Sequence, residues 1–503
     1  MIIMVELTFY GGVGEIGGNK ILLEDLDTRV LLDFGMSFKQ SGKYFSEFLQ
    51  PRKCNGLGDY FATDLLPDVP GIYREDYLRH MGRGEEEQLV DAVLISHAHV
   101  DHMAYLHHLR KEIELVMSKG TQAVIRTLQD TTSSGENDYL EYVPNFEMRP
   151  YARGEGFTRK TKKDECLNRP CDVFDYGKKI KIGDLEVVPY EVDHSLPGAT
   201  AYMIHTSEGT LLYTGDYRFH GYMGNKTRMM ISEASEEDII AVITEGTRIK
   251  QTESTSEEEV YHNAKRLVEN TKGLVVITFP VRDLTRFRTF HRIAGETGRK
   301  LVISFKQAYL LERFNEFTDL YPEPGDTDLC LFAERKSWGI AGRDDYFSNI
   351  EGLCYPSNIC EQDYSTWERE YLHRENTVNH WDIEDQSKYI LICGYFQLNS
   401  LVDINPVPGS LYIRSITEPF DDEMELDAER VRNWLDLFGL ELHGMSNEDR
   451  LHASGHANGK QIVDALKTIN PDKIIPIHTE NPEHLKKYFE NVANPKYGIK
   501  ITL

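Results

Sequence analysis

Short apolar runs that end at a polar residue recur through the first half of the chain. Residues 30–32 precede Asp33, and residues 92–95 lead to His97. Runs of this length, bounded by Gly and Asp, are typical of β-strands. The same arrangement comes before three further residues: His194, Asp216 and Glu245. Each predicted strand therefore places a polar side chain at its carboxyl end, which is where open α/β sheets carry their chemistry.

From about residue 255 the pattern changes to strands that alternate with helices. Ser256 and Glu259 form a capping-box signal, which predicts the start of a helix. The elements predicted after it are a strand over 274–279, a helix over 282–297, and strands over 301–304, 389–393 and 410–416. Strands and helices that alternate in this way favour a parallel sheet.

The domain organisation follows from chain length and from the position of the polar residues. A chain of 503 residues is too long for one core, and roughly two or three domains are expected. Polar residues of interest occur before residue 255 and return only at His456 and His478. We therefore expect one domain from residues 1–255 and 426–503, with a second domain inserted over 256–425.

The run His97-Ala98-His99-Val100-Asp101-His102 carries the strongest chemical signal. His97 and His99 alternate along an extended loop, so that both imidazoles can face one metal ion. Asp101 and His102 follow where the chain turns into a helix, and they can face a second ion. Histidines and carboxylates around a pair of divalent ions suit Zn²⁺, with Mn²⁺ as an alternative.

The ordered set Asp33, His97-x-His99-x-Asp101-His102, His194 and Asp216 resembles the four motifs of metallo-β-lactamase-fold hydrolases. Glu245, His456 and His478 resemble the three additional motifs of the β-CASP branch, which cleaves nucleic acids. Residues 11–17 and 452–457 are similar to ribonuclease J. The resemblance implies an α/β protein, an αββα metallo-β-lactamase sandwich with an inserted β-CASP-like α/β domain.

The resemblance also implies a role for each matching residue. It assigns the first metal to His97, His99 and His194, the second metal to Asp101, His102 and His478, and the bridging position to Asp216. Asp33 would orient the histidine-rich loop from behind the ligands. His456 would be the general acid, and Glu245 would hold it protonated, because a neighbouring carboxylate raises a histidine pKa. Together with Asp101, these two are the expected catalytic residues.

The function implied is two-metal hydrolysis of phosphodiesters in single-stranded RNA, for RNA processing or decay, as an endonuclease or a 5′–3′ exonuclease. A hydroxide shared by the metals would attack phosphorus while His456 protonates the leaving oxygen. One alternative is a metallohydrolase of a small ester, lactone or thioester, which would not need so large an insertion. Another is a catalytically silent RNA-binding subunit, which would have no need of a complete ligand set.

The net charge of −26 opposes binding of a polyanion by the overall field of the protein. Local contacts with RNA are expected instead from Ser454, Arg282 and Arg286, of which the two arginines share one face of a predicted helix. Basic residues interleaved with aromatic ones over 149–163 are a further candidate, for which a solvated loop is the alternative explanation.

The remaining features concern location and assembly. Seven cysteines without a Cys-x-x-Cys motif favour a reducing cytoplasm. Cys166 with Cys171 and Cys354 with Cys360 offer only loose metal-ligand spacings, and free thiols are the simpler interpretation. No signal peptide or membrane span is expected.

Residues 393–397 do not match the element that binds a 5′ phosphate in ribonuclease J. In that family the chain continues into a further domain that takes part in oligomerisation, whereas only 25 residues follow His478 here. Oligomerisation through such a domain is therefore not expected, and a homodimer is one alternative for the oligomeric state.

Overall fold

A computed structural model describes residues 4–46, 48–132, 137–341, 359–419 and 422–503. The chain divides into two compact units. The first unit joins Met1–Ser254 to Gly455–Leu503, and the second unit is Thr255–Ser454. The first unit is therefore built from two separate stretches of the chain.

Two sheets form the first unit. The first sheet has seven strands in the spatial order Cys171–Phe174, Glu114–Ser118, Ala92–Leu94, Thr28–Phe34, Lys20–Asp25, Glu6–Phe9 and Lys500–Thr502. The second sheet has six, in the order Ile180–Ile182, Leu185–Glu191, Thr200–Thr206, Gly209–Tyr213, Ile239–Glu245 and Ile474–Ile477. Three neighbouring strands of the second sheet, from Gly209–Tyr213 to Ile474–Ile477, run parallel, so their carboxyl ends meet at one edge.

The sheets pack face to face, with helices outside. Tyr202 and Ile204 of the strand Thr200–Thr206 point into the core between the sheets. Ala201 and Met203 point the other way, since successive strand residues face opposite sides, and pack in a second core. That core is covered by the helices Gly224–Ala234 and Gly459–Ile469, and the helix Lys119–Thr131 packs on the first sheet. The predicted αββα sandwich is confirmed.

The second unit contains a parallel seven-stranded sheet. Its strands lie in the order Thr377–Val378, Leu329–Phe332, Lys300–Ser304, Tyr389–Ile392, Val275–Thr278, Leu411–Arg414 and Glu441–His443. Its α-helices are Glu257–Asn270, Leu284–Thr297, Phe305–Asn315, Ile359–Gln362, Ser400–Ile404 and Asp422–Phe438. The capping box of Ser256 and Glu259 forms as predicted, and Gly298 ends its helix with a φ of 68°.

The second boundary of the insertion differs from the expected residue 425. The helix Asp422–Phe438 contributes Val431 and Leu435 to the core of the second unit. The strand Glu441–His443 then extends the same sheet by pairing parallel with Leu411–Arg414. Residues 426–454 therefore belong to the second unit, which ends at Ser454.

Shorter elements of the first unit complete the description. They are the paired strands Glu141–Tyr142 with Leu167–Asn168 and Met148–Pro150 with Phe157–Arg159, and the helices Phe38–Tyr44, Gly58–Ala62, Glu75–His80 and Val100–Met103. None of the helices in the described ranges combines the length and the hydropathy that crossing a bilayer requires. The described cysteines are free thiols, and Cys354 lies outside the described residues.

Candidate metal centre

The carboxyl ends of strands bring the predicted ligands together at one edge of the sandwich. Asp216 follows Gly209–Tyr213, Glu245 ends the next strand along the sheet, and His478 follows the strand after that. His97 and His99 come from the loop after Ala92–Leu94 in the other sheet. Ligands from separate strands can meet here because both sheets end at the same side of the core.

Three histidines and one aspartate form the first group: His97, His99, His194 and Asp216. Nδ1 of His99 lies 2.9 Å from Nε2 of His97 and 3.0 Å from Nε2 of His194. Nitrogen ligands of a tetrahedral zinc ion lie about 3.3 Å apart, given Zn–N bonds of about 2.0–2.1 Å. The spacing of these nitrogens therefore suits a single ion at their centre.

A second group consists of Asp101, His102 and His478. Nε2 of His478 lies 3.1 Å from Oδ2 of Asp101. Oδ2 of Asp216 lies 3.2 Å from Nε2 of His102 and 3.6 Å from Nε2 of His478. The same oxygen is 3.8 Å from Nε2 of His97. Asp216 thus stands between the two groups, where a bridging carboxylate belongs.

The side chains fit divalent metal ions. Nε2 of His102 and Oδ1 of Asp216 are buried and have no hydrogen-bond partner among the described residues. Buried polar atoms are rarely left unpaired, and a cation would satisfy both. Burial and the neighbouring histidines lower the pKa of His97 and of His194, which favours the neutral imidazole that binds metals. At His102 and His478 the neighbouring carboxylates outweigh burial and raise the pKa, so that metal binding there would displace a proton. The site therefore has the composition of a divalent metal centre.

The ring nitrogens that point away from the centre are held by the protein. Nδ1 of His102 lies 2.7 Å from Oδ2 of Asp33. The others face groups that the sequence did not indicate: Ser96 Oγ at 3.0 Å from His97, the Gly455 carbonyl at 2.6 Å from His194, and Thr247 Oγ1 at 2.8 Å from His478. Such contacts fix the orientation of a ligand histidine.

Asp33 connects several parts of the site. Its carboxylate accepts hydrogen bonds at 2.7 Å from both the backbone N–H and the hydroxyl of Ser96, and it also accepts from the hydroxyl of Tyr213. Asp33 has a φ of 59° and His478 has a φ of 50°. Left-handed backbone is uncommon away from glycine and concentrates at functional sites. The surrounding structure therefore holds Asp33 and His478 in an uncommon backbone conformation that fixes the positions of their side chains.

Glu245 and His456 form a third group with Asp216. Nδ1 of His456 lies 3.0 Å from Oε2 of Glu245 and 3.7 Å from Oδ2 of Asp216. Burial alone would lower the pKa of His456, but the two carboxylates outweigh it and raise this pKa to about 9. The two carboxylates therefore favour the protonated form of His456.

A glycine-rich loop packs against the second group. The backbone N–H of His478 donates to the carbonyl of Gly12 at 2.8 Å, and that of Asn19 donates to the carbonyl of Asp101 at 3.0 Å. Gly17 has a φ of 78°, and a Cβ there would lie 2.5 Å from Oδ2 of Asp101. Only glycine allows the chain to pass so close. The similarity of residues 11–17 to ribonuclease J thus has a structural reason.

The expected RNA-contacting residues need one correction. Arg286 is fully buried, and its guanidinium forms two hydrogen bonds of 3.1 Å with the carboxylate of Glu257. It also donates to the Ser415 carbonyl at 2.9 Å. Arg286 is therefore part of the second unit's core and cannot contact a phosphate. Arg282 and Ser454 are half-buried in that unit.

Three of the six basic residues at 149–163 form ion pairs with acidic residues. Arg149 lies 2.9 Å from Asp164, and Lys162 lies 2.8 Å from Glu141. Lys160 lies 2.6 Å from Glu147 and 2.7 Å from Glu165. These pairs reduce the positive charge that the sequence suggests for this region.

Comparison with known proteins agrees with this site. Residues 63–234 match the beta-lactamase superfamily domain, and residues 445–501 match the Zn-dependent metallo-hydrolase RNA specificity domain. Ribonuclease J of Mycoplasma genitalium is 22% identical over 494 residues, which is 98% of this chain and 70% of that protein. Ribonuclease J of Pyrococcus abyssi is 24% identical over 311 residues, 59% of this chain and 58% of that protein. A crystal structure of a protein of unknown function from Enterococcus faecalis has a TM-score of 0.69 at 21% identity, covering 99% of this chain and all of that one.

The sandwich, the ligand groups and these matches define a metal-dependent hydrolase of the metallo-β-lactamase fold. Along most of its length the chain is similar to ribonuclease J, and residues 445–501 match the RNA specificity domain of Zn-dependent metallo-hydrolases.

Proposed function

We propose that this hydrolase cleaves phosphodiester bonds in single-stranded RNA with the help of two metal ions. The observation that carries the proposal is the Glu245–His456 pair, 3.0 Å apart, beside Asp216. A protonated histidine at this position suits a leaving oxygen that needs a proton, as the 3′ oxygen of RNA does. The match to an RNA specificity domain over 445–501, which includes His456, supports RNA as the substrate.

The two ligand groups would hold the ions. We assign one ion to His97, His99 and His194 and the second to Asp101, His102 and His478, with Asp216 between them. Zn²⁺ suits these donors best, and Mn²⁺ is the alternative. When bound, such ions supply a water that is activated at neutral pH and positive charge beside the phosphate.

The protein's own residues would manage the leaving group. Hydrolysis forms a bond between a water oxygen and phosphorus and breaks the bond between phosphorus and the 3′ oxygen, so that the product carries a 5′ phosphate. His456 would give its Nε2 proton to the 3′ oxygen, because its Nδ1 faces Glu245. Glu245 accepts hydrogen bonds from the backbone N–H groups of Tyr217 at 3.1 Å and Thr247 at 3.3 Å. These bonds fix the carboxylate, which in turn holds the imidazole of His456 in one orientation.

The test is digestion of single-stranded RNA that is labelled at both ends and carries a 5′ monophosphate or a 5′ triphosphate. Matched DNA and a panel of small esters and lactones are run beside it. We expect RNA fragments with 5′ phosphates, no cleavage after chelation, and recovery with Zn²⁺ or Mn²⁺. Efficient ester or lactone hydrolysis with intact RNA would favour the small-molecule alternative. RNA that is bound but not cut by the metal-loaded protein would favour the silent subunit.

A further inference from the structure

An aromatic cavity in the first unit is lined by none of the proposed metal ligands. Its volume is about 150 Å³, and its walls include Tyr60, Tyr77, His107, His108 and Phe146, with Lys53 and Arg159. These residues come from segments that the resemblance does not explain. The proposed reaction makes no use of them.

Two buried histidines give this cavity unsatisfied hydrogen-bonding capacity. His107 is 4% exposed and His108 is 2% exposed. His107 donates from Nδ1 to the Ala104 carbonyl at 2.6 Å, so its Nε2 is an acceptor. Within the described parts of the chain, neither this Nε2 nor either nitrogen of His108 has a partner. Because buried polar groups are normally paired, the cavity is suited to a ligand that brings donors and acceptors of its own.

The protonation of these histidines defines what they can recognise. Burial lowers the pKa of both His107 and His108, and the cationic side chains of Arg74 and Arg169 lower it further. Both imidazoles are therefore neutral at pH 7. A neutral imidazole presents one N–H donor and one acceptor, as the polar edge of a nucleobase does. The histidines thus match a heteroaromatic ring better than a simple ion.

The size and shape of the walls also suit an aromatic ring. A cavity of about 150 Å³ is comparable to one that holds a benzene-sized molecule. The ring of His108 meets Tyr60 at 4.7 Å and Tyr77 at 5.6 Å, both edge to face. Phe146 has a φ of 66°, an unusual conformation for a bulky residue, and it lines the same cavity. Aromatic walls with polar edges are how proteins take up an unstacked base.

Positive charge surrounds this cavity in a chain whose net charge is −26. Lys53 and Arg159 line it and are exposed. Behind it, Arg169 donates to the carbonyl of His107 at 3.2 Å, and so does Arg74 at 3.3 Å, although the charge of Arg74 is offset by its ion pair with Asp76 at 2.7 Å. A local cationic patch can attract an anion despite an acidic surface elsewhere. The space is enough for a ring but not for a whole nucleotide, so an attached phosphate would stay outside, at the exposed cations.

We propose that this cavity binds one nucleotide unit, with the base among Tyr60, Tyr77 and His108 and the phosphate against Lys53 and Arg159. The unit is either a free mononucleotide or a nucleotide of an RNA strand. The proposal does not depend on RNA hydrolysis, since binding at the cavity can be measured whether or not the metal centre cleaves RNA.

The experiment is calorimetric titration of the metal-loaded protein with AMP and with adenosine. Two variants are compared with the wild type: Lys53→Ala/Arg159→Ala, which changes exposed residues, and His108→Phe, which keeps a ring but removes its polar atoms. A short oligoribonucleotide is titrated into the same proteins in a His456→Ala background. Arg153→Ala is the matched control, because Arg153 is exposed near Arg159 and does not line the cavity. Thermal unfolding checks that each variant is folded.

We expect the double variant to weaken AMP binding on the order of 10-fold, given the modest strength of exposed charge pairs. Adenosine binding should be unchanged in the double variant and lost in His108→Phe. Loss of AMP affinity would identify a free nucleotide as a ligand. An effect on the oligoribonucleotide alone would identify a strand nucleotide. The proposal is overturned if the wild type binds neither, or if folded cavity variants bind both as tightly as Arg153→Ala.

Discussion

The imidazole of His456 lies 3.0 Å from the carboxylate of Glu245, which is itself fully buried. Buried polar groups need hydrogen-bond partners, and the imidazole of His456 is one for Glu245. The same contact raises the pKa of His456 to about 9, together with Asp216. The two side chains therefore form a hydrogen-bonded pair in which Glu245 favours the protonated form of His456.

Replacing Glu245 by Gln should move the alkaline limb of the pH–rate profile to lower pH. A general acid works only while it is protonated, and Glu245 raises the pKa of His456. Without the carboxylate that pKa falls, so activity is lost at a lower pH, by about one to two units. The measurement is kcat/KM for RNA between pH 6 and 10. Glu236→Gln, at an exposed site, is the control. If the alkaline limb of Glu245→Gln lies at the same pH as that of Glu236→Gln, Glu245 does not raise the pKa of His456.

His456→Ala should keep both metals but lose cleavage by about 10²- to 10⁴-fold, the usual contribution of a general acid. The loss should be smaller for a phosphodiester with a nitrophenolate leaving group, which needs no proton. Metal content and single-turnover rates are measured on the same preparation. If the substitution strips metal instead, His456 is a ligand.

Asp101→Ala should remove mainly one of the two ions, because Asp101 belongs to only one ligand group. Elemental analysis of the purified protein should show close to two ions for the wild type and close to one for the variant. Asp464→Ala, at an exposed helical position, is the matched control. Equal metal content in the wild type and Asp101→Ala would remove Asp101 from the ligand set.

Gly455→Ala should weaken metal binding without touching a ligand side chain. The added Cβ would lie 2.7 Å from Cε1 of His194, whose Nδ1 donates to the carbonyl of the same glycine. Disturbing such an orienting contact lowers metal affinity by about 10- to 100-fold. Competition with a chromogenic chelator measures the affinity. Gly84→Ala serves as the control, because a Cβ there meets nothing within 4 Å, and the two variants should differ clearly.

Arg286→Met should destabilise the second unit while leaving the metal centre intact. The change leaves the buried carboxylate of Glu257 without its ion pair, which costs about 3–5 kcal/mol. The urea midpoint of unfolding should fall, and metal content should stay unchanged. Arg266→Met, on an exposed face of the neighbouring helix, should have little effect. If Arg286→Met has the same urea midpoint of unfolding as Arg266→Met, the ion pair between Arg286 and Glu257 does not stabilise the second unit.

The sequence indicated those parts of the site whose residues are neighbours in the chain or follow a strand. His97 to His102 lie within one turn and loop, so their spacing alone predicted two ligand groups. Asp216, Glu245 and His478 each end or follow a strand, but their roles were expected only from the resemblance to the metallo-β-lactamase and β-CASP motifs. The apolar runs predicted individual strands, whereas the αββα sandwich was expected from the resemblance to metallo-β-lactamase-fold hydrolases.

Contacts between distant residues could not be predicted in this way. The Gly455 carbonyl meets His194, and Thr247 meets His478, across long stretches of chain. Arg286 was assigned to RNA because it shares a helical face with Arg282, but its partner Glu257 lies on another helix. The expected end of the inserted domain, at residue 425, was too early. The acidic residues after 421 belong to a helix of the second unit, whose Val431 and Leu435 are buried.

The division of the first unit between the two ends of the chain has a consequence for biosynthesis. The strand Ile474–Ile477, His456 and His478 emerge from the ribosome after the whole of Thr255–Ser454. Domains generally fold as units during synthesis, and the second unit is continuous, so it can fold while the first still lacks its last strands. The nascent chain therefore lacks His456 and His478 until the whole of Thr255–Ser454 has been made.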